Sequence, residues 1–184
     1  MLLVAMPKTA STSLIYTLRD CTGFAIQPHV ENIGFAGDPV KYSELSKYHK
    51  SVYLKNITWL HAMAKDKRVI YRDHVLPEAE GAQFFKDVSC PVCVLYRNPE
   101  HIMDNYIRTA LIENGSKLLE ELKNLHNFYV SLAVSDNILL VSYREIVKKP
   151  RQTVKKIIVH FGIKQTKKII LQKKKYTGKG VERL

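Results

Sequence analysis

Residues 7–13, which are Pro7, Lys8, Thr9, Ala10, Ser11, Thr12 and Ser13, place one full positive charge and four hydroxyl groups directly behind the apolar run Leu2–Ala5. With that run as a strand and a helix beginning near Ser11, the turn between them aims backbone N–H groups at an anion, and the helix dipole adds a small favourable contribution. The chemistry suits a phosphate or a sulfate. It differs from the nucleotide-triphosphate loop Gly-x4-Gly-Lys-Ser/Thr, because Lys8 comes first and the stretch contains no glycine. The plainer reading of the same residues is an ordinary helix with a Ser/Thr cap.

Proton transfer has its candidate in His74. It follows residues 68–72, which read as a strand, and so falls at a carboxyl edge. Histidine's ordinary pKa lies near neutrality, which suits abstraction of a proton, a contribution of roughly 10²–10⁴ in rate. Its plainer role is to cap a strand end. Arg97 can direct two N–H groups onto one phosphate. Arg72 stands two residues before His74, where it either faces the same anion or pairs at the surface with Asp73 or Glu78.

The elements that must position these residues alternate along the chain. Leu2–Ala5, residues 51–54, residues 68–72, Val92–Tyr96 and Ile138–Ser142 are short apolar runs of strand character, and helical patterns lie between them. The clearest helix covers residues 150–161: Pro150 suits the first position, Val154, Ile157, Ile158 and Phe161 share a face, and Gly162 can end it. Strands alternating with helices predict an α/β fold, a single-domain, mostly parallel sheet flanked by helices. In such sheets ligands bind beyond the carboxyl ends of the strands.

Length and composition agree with one domain: 184 residues, of which 46% are hydrophobic, can bury a core. No apolar run approaches the ~20 residues of a membrane span, and no leader is expected ahead of the loop, which predicts a cytoplasmic protein with no membrane span. Cys21, Cys90 and Cys93 read as reduced, mostly buried thiols; Cys90-Pro-Val-Cys93 lacks the second ligand pair of a structural zinc site, so no metal site is predicted. The net charge of +12 is uneven, with 16 residues of each sign in 1–147 but 13 positive and one negative in 148–184. Such asymmetry suggests an anionic partner for the last segment, or only a solvated basic helix and tail.

Three stretches in order resemble one family. "PKTASTS" resembles the 5′-phosphosulfate loop of the sulfotransferases that use 3′-phosphoadenosine 5′-phosphosulfate (PAPS), with wording closest to the uronyl and heparan sulfate 2-O-sulfotransferases. "VCVLYRNPEHIMDNYIR" resembles the segment that binds the 3′-phosphate, and "LLVSYREIVKKPRQTVKKIIVHFGI" the strand, tyrosine and helix that follow it. "YRDHVLP" is similar to the catalytic histidine segment. The resemblance spans Leu2 to about Ile163.

The resemblance implies PAPS as donor, PAP (adenosine 3′,5′-bisphosphate) as product, no metal, and a hydroxyl acceptor, with an amine as the alternative; its wording favours a carbohydrate hydroxyl, and a small molecule or a glycan both fit. It assigns Pro7 to Ser13 to the 5′-phosphosulfate, Arg97, Asn105 and Tyr143 to the nucleotide and its 3′-phosphate, and His74, Lys8 and Arg72 to the reaction itself. Asn105 stands where the family commonly has serine, and its amide can still donate to phosphate. In "GKGVERL" Lys179 and Gly180 match the C-terminal motif of cytosolic members; Gly178 replaces an arginine and the final Gly-Asp-Trp is absent. Lys173, Lys174 and Lys175 either compensate or are solvated. Residues 1–163 are thus expected to form the sulfotransferase domain and 164–184 a basic segment that completes the nucleotide site or is partly flexible.

Some family members use a glutamate after the first helix, which makes His29 and Glu31 the reserve bases. Trp59, in "KNITWLHAM", is a candidate to stack on adenine or a core residue. Two rivals remain at this level: a P-loop nucleotide or metabolite kinase, and a non-catalytic binder of anionic glycan or nucleic acid. No nucleic acid is expected on the first reading.

Overall fold

In a computed structural model, residues 1–26, 39–40, 53–54, 68–108, 116–172, 174–177 and 180–183 are described. The sheet is built from β1 (Leu2–Ala5), β2 (Ala25–Ile26), β3 (Pro39–Val40), β4 (Tyr53–Leu54), β5 (Val69–Val75), β6 (Val92–Tyr96) and β7 (Ile138–Ser142). Its order is β3-β4-β5-β1-β6-β7, with β2 also on β5. Every pairing is parallel except that of β3 with β4. β2 takes the first half of β5, at Val69 and Ile70, and β4 takes its end, at His74 and Val75.

Helices cover both faces: α1 (Ser11–Thr22), α2 (Ala79–Asp87), α3 (Pro99–Arg108), α4 (Ser116–Ser131), α5 (Tyr143–Lys148) and α6 (Pro150–His160). β1 is central and apolar at each of its four positions, the pattern of a strand covered on both sides. Its period of two divides the core. Leu2 and Val4 join Phe84, Ile102, Tyr106, Leu122 and Tyr129 under α2, α3 and α4. Leu3 and Ala5 join Leu14, Leu18, Val154, Ile157 and Ile158 under α1 and α6. Each fully buried Leu or Ile contributes about 1.5–3 kcal/mol relative to exposure.

The strands expected at Leu2–Ala5, Val92–Tyr96 and Ile138–Ser142 have those bounds, and α6 starts at Pro150 as read. It stops at His160, with Phe161 as its cap and Gly162 at φ 61°, the left-handed turn that glycine adopts without strain. The strand expected at 68–72 instead runs from Val69 to Val75, so His74 lies inside β5 and not behind it. Asp73 and His74 are polar, yet both are buried with hydrogen bonds and continue the strand. In α2, a Cβ on Gly81 would meet the Leu76 carbonyl oxygen at 2.0 Å, so only glycine lets this helix close on the end of β5.

Beyond α6 the chain crosses the end of α1, where the Thr166 and Lys167 N–H groups donate to the Cys21 carbonyl, and Ile169 enters the α1/α6 core. β8 (Lys174–Thr177) and β9 (Gly180–Arg183) form an antiparallel pair. The three cysteines are free thiols, with Cys21 and Cys93 buried. No helix among the described residues is long and apolar enough to cross a membrane.

Candidate active site

The loop after β1 turns on two left-handed residues, neither of them glycine: Lys8 at φ 55° and Ala10 at φ 59°. That conformation costs an L-residue roughly 1–2 kcal/mol. It is held by Thr9, wholly buried, whose hydroxyl donates to the Met6 carbonyl at 2.9 Å, and by Met6 N–H, which donates to the Leu95 carbonyl at 2.9 Å. Ala10 is the residue that caps α1, and it offers no side-chain acceptor to the first turn. The plain Ser/Thr-capped helix is therefore not what forms. Successive turns of this kind gather backbone N–H groups into an anion-binding concavity.

Cations arrive from neighbouring strands. Arg72, on β5, donates through one guanidinium nitrogen to the Ser11 hydroxyl at 3.1 Å and the Thr12 hydroxyl at 2.8 Å. Arg97, immediately behind β6, donates to the Lys8 carbonyl at 2.8 Å, and its guanidinium carbon lies 4.0 Å from the centre of the Tyr143 ring. Tyr143 opens α5, whose start is fixed by a reciprocal cap between Ser142 and Glu145. Lys8 Nζ stands 5.1 Å from the centre of the Tyr106 ring, on α3. Ser13, on the first turn of α1, and Asn105, on α3, are half-buried.

Burial, and then the charge of Arg97, push the Lys8 ammonium below the usual lysine range. Burial likewise lowers Arg97. Two desolvated cations side by side are costly by themselves and favour a bound anion. The Arg97 Nε–H is also buried with no hydrogen-bond partner among the described residues. These residues fit a phosphate-bearing ligand.

His74 is 2% exposed, and its side chain faces the α1 side. Its Nδ1 meets the Ala5 carbonyl, which can only accept, so Nδ1 carries the hydrogen and the neutral ring keeps its lone pair on Nε2. The backbone N–H of His74 donates to Asp73 Oδ1 at 2.8 Å. Next to it, Val75 N–H donates to the Tyr129 hydroxyl at 3.2 Å, which in turn donates to the Val75 carbonyl at 3.0 Å. Neither Tyr129 nor Tyr106 was singled out from the sequence. Both lie on the apolar faces of their helices, where a tyrosine reads as core.

Pro7, Lys8, Thr9, Ala10, Ser11, Thr12, Arg72, His74, Arg97 and Tyr143 thus meet at the carboxyl edge of β5, β1, β6 and β7. His29, Glu31, Trp59 and Lys179 lie outside the described residues; Gly180 opens β9.

No family model and no curated protein match the chain. Solved structures do. A sulfotransferase from Alicyclobacillus acidocaldarius superimposes at a TM-score of 0.54 and 11% identity, covering 89% of this chain and 80% of that one. The mouse sulfotransferase SULT7A1, complexed with PAP, superimposes at 0.53 and 16%, covering 90% of this chain; the chain spans 59% of the mouse protein's length. A sugar kinase from Janibacter gives 0.47 and 14%, over 88% and 93% of the two chains. The chain has the α/β fold of the sulfotransferases. The likeness carries the fold, and leaves donor and acceptor to the chemistry of the site.

Proposed function

We propose that the protein transfers a sulfuryl group from PAPS to a hydroxyl or amine acceptor, a small molecule or a glycan. The observation that carries this reading is the convergence of Arg72, from within β5, and Arg97, from behind β6, on the glycine-free left-handed loop that carries Lys8, beside a buried histidine whose Nδ1 meets the Ala5 carbonyl. The donor supplies an electrophilic sulfur attached to a phosphate leaving group.

The chain's own residues divide the remaining work. Lys8 and the loop N–H groups stabilise negative charge on the 5′ side, where one preorganised donor is worth roughly 10²–10³ in rate. Arg72, oriented by Ser11 and Thr12, supports the sulfuryl oxygens. Arg97, stacked on Tyr143 and joined by Asn105, holds the 3′-phosphate, where its planar fork suits two oxygens. His74 takes the acceptor's proton at Nε2 while Nδ1–H stays on the Ala5 carbonyl. In a site shielded from water, each of these interactions is stronger than in solution.

Calorimetric titration with PAP tests the donor assignment. The expected result is binding that persists in EDTA and weakens in Arg97→Ala. ATP binding that requires magnesium, with none of PAP, would favour the kinase reading. Labelled PAPS with a panel of sugar and small-molecule acceptors then assigns the acceptor.

A further inference from the structure

We propose that Tyr129 is a positioning residue for His74: its hydroxyl takes over the end of the β1–β5 ladder and so releases the Ala5 carbonyl to hold the imidazole Nδ1–H. The inference rests on the assignment of His74 as the base.

The register makes the exchange visible. Tyr71 N–H donates to the Met1 carbonyl at 2.8 Å, and the strands pair Leu2 with Tyr71, Leu3 with Arg72 and Val4 with Asp73. In a parallel ladder every second residue of β5 faces β1 with evenly spaced bonds. Two residues beyond Tyr71, Asp73 faces the Leu3 carbonyl; two further, Val75 N–H comes into line with the carbonyl of Ala5. The bond found there is a different one. Ala5 accepts from His74 Nδ1, and Val75 N–H goes to the Tyr129 hydroxyl, which also satisfies the Val75 carbonyl.

Without that hydroxyl, a buried backbone N–H would stand unpaired, at a cost of about 1–3 kcal/mol. The acceptor next in line would be the one the imidazole uses. Tyr129 comes from α4, 54 residues away in the chain, and is wholly buried among Leu118, Leu122 and Leu125. Burial raises its phenol far above the ordinary tyrosine range, so the hydroxyl keeps its hydrogen. Asp73 does the matching service for the His74 N–H. Both amides flanking the imidazole are thus held by side chains, and the ring is left the strand-end carbonyl.

Tyr129→Phe keeps the packing and removes only the hydroxyl. The expected result in ¹⁵N spectra of the neutral His74 ring is loss of the pure Nδ1–H pattern, with the Nε2–H form appearing. Turnover should fall roughly tenfold or more while PAP affinity changes less than about twofold, since a histidine in the wrong tautomer cannot accept the proton. A Tyr129→Phe protein that retains the pure Nδ1–H pattern overturns the proposal whatever its turnover. In the parent protein, a through-bond coupling from Val75 N–H to the Ala5 carbonyl carbon would overturn it too, and this measurement needs no variant to fold. Failure of the base assignment is a separate result: His74→Asn with parental turnover, which leaves the ¹⁵N outcome untouched.

Discussion

At the amino edge of the sheet, Asn137 donates to the carbonyls of Val88 and Cys90, and the His160 ring meets that of Val92 at 3.1 Å. At the carboxyl edge, Arg72 and Arg97 also bond within the chain, but to two hydroxyls on the first turn of α1 and to a carbonyl of the loop before it, whose backbone is strained at two residues. The first set ties the connection into β6 and its first residue with uncharged donors on backbone without positive φ. The second crowds positive charge where burial opposes it. A fold holds such an arrangement when the surrounding core over-determines it, and the usual use for the stored cost is ligand binding.

The largest expected effect belongs to His74. His74→Asn keeps a polar side chain of similar size but cannot take up a proton at neutral pH, so turnover should fall by roughly 10²–10⁴ with PAP affinity nearly unchanged. Stopped assays at saturating donor measure it, and parental turnover would move the base elsewhere, with Glu31 next in line.

Lys8→Ala should reduce turnover by roughly 10²–10³, the loss typical of one preorganised donor. Activity within threefold of the parent, an interval far smaller than that range, would refute the role. The same lysine gives a pH dependence. Its pKa is lowered, first by burial and then by Arg97, so it loses its proton below the usual lysine range. A bound anion favours the ammonium form, so PAP affinity should fall as pH rises through that lowered pKa. Lys8→Arg, which stays charged, should lack the alkaline limb.

Arg97→Ala should weaken PAP binding by about 1.5–3 kcal/mol, the range of charge-assisted hydrogen bonds, or roughly tenfold to somewhat over a hundredfold in Kd. Less than tenfold in calorimetry would place the 3′-phosphate against other residues. The smallest effect on the site comes from the opposite edge. Asn137→Ala removes the donor to two carbonyls of the connection between α2 and β6, Val88 and Cys90, and should cost about 1–3 kcal/mol in urea unfolding, while turnover and PAP affinity stay at parental values. A hundredfold loss of turnover there would erase the contrast between the edges.

How much of this was legible in the sequence depends on how local each cause is. β1, β6 and β7 could be bounded from the sequence because each is a short apolar run, the first stopping just ahead of Pro7-Lys8, the second at Arg97 and the third at Ser142. β5 could not, since the polar Arg72, Asp73 and His74 interrupt its apolar run before Val75, and its end is held by partners distant in sequence: Ala5 for the His74 ring and Tyr129 for Val75. The loop's place between β1 and the start of α1 at Ser11 was readable. Its conformation was not, because positive φ is signalled by glycine, and here Lys8 and Ala10 adopt it. The turn of Arg72 toward Ser11 and Thr12 is again a contact across about sixty residues of chain.

The central place of β1 bears on how the molecule assembles. Leu2 pairs with Tyr71 on one side and Val92 on the other, so neither flank of this strand can be covered until the later segments have been made. At ~5–20 residues per second of synthesis, an apolar strand with both edges bare waits for several seconds. Parallel pairing across such separations is also slow by topology, because loop closure precedes the contacts that reward it. The strand from which the loop of Lys8 springs thus gains its second neighbour only once Val92–Tyr96 has been made, and the Met6 N–H bond to Leu95 that helps hold the loop cannot form before then.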